Sequence, residues 1–393
     1  MMISSLPRLG VLLVFISACF GCSCVKEASS IDDYVRRQRN DQAKLNIESK
    51  NSYSFDNDQL VLNIIGADSI TESRGSDRGL GQITVDLGLP EAIDCEITEF
   101  RQYSPARLGK SYRRIFQKHY RTTEQPAVKT IIRGQRPVTY FVSRHKSRDG
   151  SPYFLKFGFV HFYRYFVQCS HKGKMAPRLF SQFMGELAKG AKEQLPGWQS
   201  VQVKSFYETV QNKTRGFQVR YFLSNSNHSL LEVRSHRYEQ EKGLNYKGLD
   251  KIITIQRERT ASKLPGKKVQ ASFVAYVDGK EDYRLRAVQG SAALKVWGRY
   301  KKIKIASKFR GVTGDQLWFP IEASKPNNEQ SKSLWPESGI LTPQTFHFSQ
   351  KENGAWLWQS KNVERQSWRD ANFDVLKESW SEGNAVWTLR AKN

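Results

Sequence analysis

Phe217-Gln218-Val219-Arg220-Tyr221-Phe222-Leu223 runs into Ser224-Asn225-Ser226-Asn227, and a second run follows from Leu230 to Arg237. Two segments rich in aromatic and β-branched residues, joined by four small polar ones, predict an antiparallel hairpin. Downstream the same grammar repeats. Ile252 to Arg257 extends the sheet, and Lys263-Leu264-Pro265-Gly266-Lys267-Lys268 marks an internal boundary. Val269 to Val277 and Tyr283 to Val288 flank the turn dipeptide Asp278-Gly279. Lys301 to Phe309 alternates Lys302, Lys304 and Ser307 with Ile303, Ile305 and Phe309. Leu317–Ile321, Thr345–Phe348, Ala355–Gln359 and Ala385–Leu389 complete a strand-rich end, with a polar loop over 322–338.

Upstream, Leu60 to Ile65 and Gln82 to Leu87 read as strands. Ala92 to Phe100 sets Ile93, Cys95 and Ile97 against Asp94, Glu96 and Thr98, the alternation of a half-buried strand. Val128–Ile132, Val138–Arg144 and the aromatic run Tyr153–Val167 add further strands, the last as one long or two short ones. Two helices are expected among them. Leu108, Tyr112, Ile115 and Phe116 share one face of a basic helix over Arg107–Lys118. Leu179, Phe180, Phe183, Met184 and Leu187 recur at helical spacing after Met175-Ala176-Pro177, with a stop at Leu195-Pro196-Gly197. A third, short helix is expected near Tyr34–Leu45. The resulting expectation is an α+β protein: a strand-rich antiparallel sheet with packed helices, followed by a mostly β C-terminal region. Its divisions are a signal peptide over 1–18, a polar tether over 19–58, an α+β domain over 59–196 and a mainly β domain over 197–393.

The amino terminus supplies an address. Arg8 precedes an apolar run, Leu9 to Ala18, too short to span a bilayer and of the length of a signal-peptide core. Ile16-Ser17-Ala18-Cys19 resembles the lipobox of bacterial lipoproteins. The resemblance implies cleavage before Cys19, a thioether-linked diacylglycerol on its sulfur, and acylation of the new amino terminus by a fatty acid such as palmitate. Cys22 is the second candidate, disfavoured by bulky Phe20 two places before it. Ordinary cleavage after Ala18 would instead leave a soluble periplasmic protein with three free thiols. Two or three acyl chains anchor a protein durably, since each buried methylene contributes ~0.8 kcal/mol. In a host with two membranes, Phe20 stands where an aspartate would signal inner-membrane retention, so the outer membrane, facing the periplasm, is the expected site.

The charge is the compositional outlier. Lys and Arg number 62 against 38 Asp and Glu, a formal charge of +24. Such a balance concentrates anionic partners: for an exported protein the candidates are anionic glycans, lipid head groups or DNA, nucleic acid being the least favoured, against a generally basic surface with no dedicated partner. Two basic segments are candidates for anionic-ligand binding, the helix with Arg113 and Arg114 and the strand with Lys302 and Lys304. Lysines on a solvent-facing edge also guard against aggregation, so the second segment has that competing explanation. Trp356 and Trp358, on one face of a strand, are the candidate aromatic platform, with a core role as the competing one. Cys95 and Cys169 either pair or stay apart as buried thiols.

Catalytic signatures are missing. There is no glycine-rich phosphate loop, dinucleotide fingerprint, Gly-x-Ser-x-Gly elbow or His-Glu-x-x-His pair. No metal and no cofactor is expected. His228 and His236, on one hairpin, can approach each other without ligand company. Glu91, Asp94, Glu96 and Glu99, and Glu378 and Glu382 near aromatics, are the carboxylate groups a glycan-cleaving enzyme would need. The leading expectation is a membrane-anchored, non-catalytic binding or assembly module for an anionic envelope component. The alternatives are an envelope glycan-acting enzyme with aromatic subsites and a scaffold for another envelope protein.

Overall fold

The computed structural model describes residues 50–73, 81–89, 92–99, 127–146, 152–173, 175–241, 251–263, 270–289, 293–310, 330–335, 340–361, 364–371, 375–382 and 385–391. The signal segment with Cys19, Cys22 and Cys24, the Tyr34–Leu45 helix, the basic helix with Arg113 and Arg114, the Leu317–Ile321 strand and most of the Lys263–Lys268 boundary lie outside the described residues.

In chain order the first strands are β1 (Lys50–Phe55), β2 (Leu60–Ile65), β3 (Ser69–Ser73), β4 (Gly81–Asp86), β5 (Ile93–Glu99), β6 (Ala127–Arg133), β7 (Arg136–Lys146), β8 (Pro152–His161) and β9 (Tyr165–Gly173). Helix α1 (Pro177–Gly190) and β10 (Lys192–Glu193) follow. Next come β11 (Ser200–Val210), β12 (Lys213–Asn225), β13 (His228–Glu241), β14 (Lys251–Lys263), β15 (Gln270–Val277), β16 (Lys280–Gln289), β17 (Ala293–Tyr300) and β18 (Ile303–Arg310). The last are β19 (Gln330–Trp335), β20 (Ile340–Gln350), β21 (Trp356–Gln359), β22 (Glu364–Arg369), β23 (Val375–Glu382) and β24 (Ala385–Ala391).

The expectation of an α+β fold with packed helices is overturned. Nearly all of the described structure is β, in three antiparallel sheets, and α1 is the one helix among the described residues. The physical reason is the dominance of period-2 burial: β2 reads buried at Leu60, Leu62 and Ile64, and β5 at Ile93, Cys95 and Ile97, each with less buried neighbours between. The aromatic run splits at Phe162-Tyr163-Arg164 into β8 and β9, whose strands turn back on each other.

A small sheet pairs β1, β2 and β10, and a second has the order β3-β4-β5-β9-β8-β7-β6. In the second, Cys95 on β5 stands opposite Cys169 on β9, and their sulfurs are bonded at 2.09 Å. A bridge closing a loop of this length, 74 residues apart in sequence, contributes ~4 kcal/mol by loop entropy. Helix α1 opens on Pro177, whose missing N–H costs nothing in the first turn. It buries Leu179, Phe180, Phe183, Met184 and Leu187 against β2, β6, β7 and β8. Its last residue, Gly190, must lack a side chain: a Cβ there would meet the Asn63 carbonyl oxygen at 2.2 Å.

The third sheet has fourteen strands. Its order runs from β18 down to β11, then from β24 down to β19. Two meanders therefore meet at one non-local seam, Phe206↔Ala391 through Val210↔Trp387. The sheet curls. Arg220 on β12 reaches Glu378 on β23 at 2.8 Å although β11 and β24 lie between them. In a flat sheet those backbones would stand about 14 Å apart, so this face is concave. Toward β18 the inward face is apolar, with Leu231, Val233, Phe273, Leu285, Leu294 and Val296 in one cluster. Toward β22 it holds buried charge among indoles. Glu378 accepts from Arg220 and Arg365, and Glu208 accepts from Arg237 and, at 2.7 Å, from Ser235. The Arg237 guanidinium lies 4.0 Å from the Trp387 ring centre, and that of Arg365 lies 5.0 Å from the Trp380 centre.

On the opposite face, β12 and β13 receive the seven-stranded sheet. Phe141, Phe159 and Phe166 pack with Tyr238, and His161 sits 4.7 Å from His236 and 4.9 Å from Phe217, ring centre to centre. Arg234 crosses this joint, donating to the carbonyls of Phe162 and Tyr163 at 2.9 and 2.8 Å.

Candidate anion-binding groove

Beyond the joint, the same sheet face turns outward on β16, β17 and β18. Antiparallel pairing sets directly opposite side chains on one face, so the register defines the surface. Arg284 stands opposite Arg299, which stands opposite Lys304. One step along, Arg286 stands opposite Trp297, and Trp297 opposite Ala306. One step further, Lys295 stands opposite Lys308. Glu281, Arg284, Arg286, Trp297, Arg299 and Lys304 wall a groove of about 520 Å³. Gly298 lets β17 lie close to β16. Its φ is +140°, and a Cβ there would stand 2.1 Å from the Arg284 carbonyl oxygen.

The electrostatics are unusual for a sheet surface. Like charges directly opposite destabilise a strand pair, yet a row of three cations crosses three strands. Arg284 is partnered, donating to Glu281 at 2.8 Å and to the Tyr276 hydroxyl at 2.6 Å. Arg286, Arg299 and Lys304, like Lys295 and Lys308, have no hydrogen bond or ion pair among the described residues. The buried arginines behave differently: Arg220, Arg234, Arg237 and Arg365 each hold a carboxylate. Edge protection accounts for Lys304 and Lys308, because β18 is an edge strand among the described residues. It does not account for Arg284, Arg286 and Arg299, which lie on interior strands.

Trp297 is 39% exposed, among the large apolar side chains that reach solvent. It makes no ring or cation–π contact among the described residues. Its neighbour Ala306 is too small to cover the indole.

Of the residues singled out from sequence, Lys304 lines this groove, and Lys302 sits exposed in the turn just before β18, outside the lining. Trp356 and Trp358 do not make an exposed platform. Trp358 is 0% exposed, beneath the Arg369 guanidinium, and Trp356 is half-buried. A core demand for a large apolar side chain outweighs any surface role there. His228 and His236 are not brought together. They are eight residues apart on one strand, about 26 Å, where His228 bonds Ser262 and His236 stacks on Phe217. Glu378 is wholly buried among arginines rather than presented to a substrate. Asp94 is exposed on β5 and accepts from Thr84 at 3.0 Å, while Glu99 pairs with Arg164 at 3.5 Å. No group of three metal-ligating side chains occurs among the described residues, and none of their helices is long and apolar enough to cross a membrane.

Sequence reading missed Arg284, Arg286 and Trp297 as members of the site. The signal was present: Arg284 and Arg286, then Lys295, Trp297 and Arg299, fall at i, i+2 spacing on the polar face of successive strands. Compared with known proteins, the chain matches no family model, no curated protein and no solved structure.

Proposed function

We propose that this chain is a lipid-anchored protein of the bacterial cell envelope that binds an anionic envelope component at the β16–β18 groove without performing chemistry on it. Cys19 is the anchor, and the polar residues between it and β1 are the tether that holds the fold off the membrane; β1 (Lys50–Phe55), which the sequence reading counted as tether, pairs with β2 and belongs to the fold. In a two-membrane host the protein stands on the outer membrane, facing the periplasm. One observation carries the binding role: the cross-strand row Arg284–Arg299–Lys304, which places like charges opposite one another. An anion laid along the row converts that repulsion into attraction. The Cys95–Cys169 bridge supports an oxidising compartment.

Two experiments test this reading. Retention on an immobilised anionic glycan should exceed retention on a neutral one at low salt and fall steeply as salt rises. The Arg299→Glu, Lys304→Glu double variant should bind about tenfold more weakly, the ratio that corresponds to ~1.4 kcal/mol. Equal retention on both matrices would dismiss the groove. For the anchor, radiolabelled fatty acid fed to expressing bacteria should label the wild type and leave Cys19→Ser unlabelled. A wild type without label would point to a diffusible periplasmic protein.

A further inference from the structure

We infer that the ligand of the groove is an anionic saccharide: one sugar ring stacked on Trp297, with negatively charged substituents to either side of it. This rests on the groove being the anion site proposed above, and it names the ligand class.

Side chains two residues apart on a strand recur on one face about 7 Å apart. Trp297 therefore has Arg299 about 7 Å away in one direction and Lys295 about 7 Å away in the other. Each of these extends into a cross-strand row: Arg284 and Lys304 beside Arg299, Lys308 beside Lys295. Arg286 lies alongside the indole in its own row. The site is thus a flat apolar plate with one cationic bar in the groove lining, Arg284–Arg299–Lys304, of which Arg284 is paired with Glu281, and a second, Lys295–Lys308, on the same face just beyond the lining. A ligand of charge alone, such as an inorganic phosphate chain, leaves the indole unused. A neutral sugar leaves the two bars unused. A ring with an apolar face, a hydroxyl edge and acidic groups on both flanks uses every part.

The bare indole is the second independent sign. An indole usually finds a partner for its face and its N–H when it is packed. Here Ala306 on the edge strand leaves one side open, while buried tryptophans of the same sheet are covered by guanidinium groups: Trp387 by Arg237, Trp358 by Arg369. A single-stranded nucleic acid is the poorer match. Such sites stack successive bases on successive aromatic side chains, and Trp297 is the one aromatic residue in the groove lining.

The test uses the purified chain and four probes: a size-defined heparin oligosaccharide, inorganic polyphosphate, oligo-dT and neutral dextran. The heparin oligosaccharide should bind most tightly. Trp297→Ala should weaken it about tenfold, within the range measured when a stacking aromatic is removed, and Trp297→Tyr should recover most of the loss. Polyphosphate should bind more weakly and be indifferent to Trp297→Ala. Because Trp297 is exposed, an unchanged circular dichroism spectrum checks that the variant is folded. Heparin affinity that stays within twofold in Trp297→Ala, or polyphosphate binding as tight as heparin, would overturn the saccharide and leave a charge-only anion site. Tighter binding of oligo-dT, lost in Trp297→Ala, would overturn it in favour of nucleic acid. Failure of every anion to bind would overturn the proposed function along with it.

Discussion

Replacing Glu378 by alanine should cost about 3–5 kcal/mol of stability, the range for removing one partner from a buried ionic cluster. The carboxylate is 0% exposed. Arg220 donates to it at 2.8 Å, Arg365 donates to the same oxygen, Ser367 donates to the other at 3.4 Å, and Arg369 stands 4.0 Å away. Burial by itself would raise the carboxyl pKa, but the Arg220, Arg365 and Arg369 guanidiniums outweigh it and hold it down at about 2. Without the carboxylate, three guanidiniums share a buried face with no common anion between them. The damage should also be positional, because Arg220 and Glu378 tie one meander to the other across the seam. Urea unfolding of the wild type, Glu378→Ala and Glu378→Gln measures it. A loss below about 1 kcal/mol for Glu378→Ala would show that the cluster does not hold the sheet in its curl.

Acidification from pH 6.5 to 4.5 should remove as much as about 5 kcal/mol, and the histidine pair at the joint between the sheets should account for it. Both nitrogens of His161 and Nδ1 of His236 are buried without a hydrogen-bond partner among the described residues. Burial pushes the His161 pKa well below the usual imidazole value, helped by His236 and Arg234. Burial, with Arg234, pushes His236 down to about 3. The folded pKa values therefore lie below the unfolded ones. Stability is whole above the unfolded value of 6.5 and is lost as pH falls below it, because the unfolded chain takes up protons that the fold refuses. Each histidine contributes about 1.4 kcal/mol per pH unit across that window. Glu193, whose carboxyl is raised chiefly by burial, works in the opposite direction in the lower part of the window. Glu378 enters only below about pH 4.5, where the unfolded chain's carboxyl takes up a proton that the fold refuses until about pH 2. Urea midpoints taken between pH 7.5 and 4.5 should show the slope, and His236→Phe should halve it. A flat profile, or an unchanged slope in His236→Phe, would assign acid sensitivity to other groups.

Local pattern revealed most of the strands and almost nothing of their arrangement. The hairpin around Ser224–Asn227, the Asp278-Gly279 turn and helix α1 are short-range features, and each is legible because a turn residue or an apolar period lies within a few positions. The α+β expectation read the strands, Ala92–Phe100 included, but gave packed helices a place in the architecture that a single described helix, α1, does not fill. The β11–β24 seam has no local signature at all. It joins Thr209 to Thr388, 179 positions apart. The groove follows the same rule. Lysine spacing marked Lys304, but Arg284, Arg286 and Trp297 join it only once the register of β16, β17 and β18 is known. Trp356 and Trp358 show the converse. Their spacing gives a shared face, and only the curl of the sheet says which of the two indoles that face buries.

The single seam also sets an order of events in time. Every other neighbour in the fourteen-stranded sheet is also its neighbour in sequence, so each meander can grow strand by strand as the chain is delivered. Among the described residues, β24 is the strand that joins them. Until it docks, β11 keeps an open edge, Arg237 waits without the indoles of β23 and β24, and Arg220 waits without the Glu378 carboxylate of β23. A chain stopped short of Ala385 would leave that edge unclosed, ready to pair with another molecule or to be cut. The fold thus inspects its own completeness. It locks only once β24 has joined β11, and a copy cut short of that strand betrays itself by the edge it cannot hide.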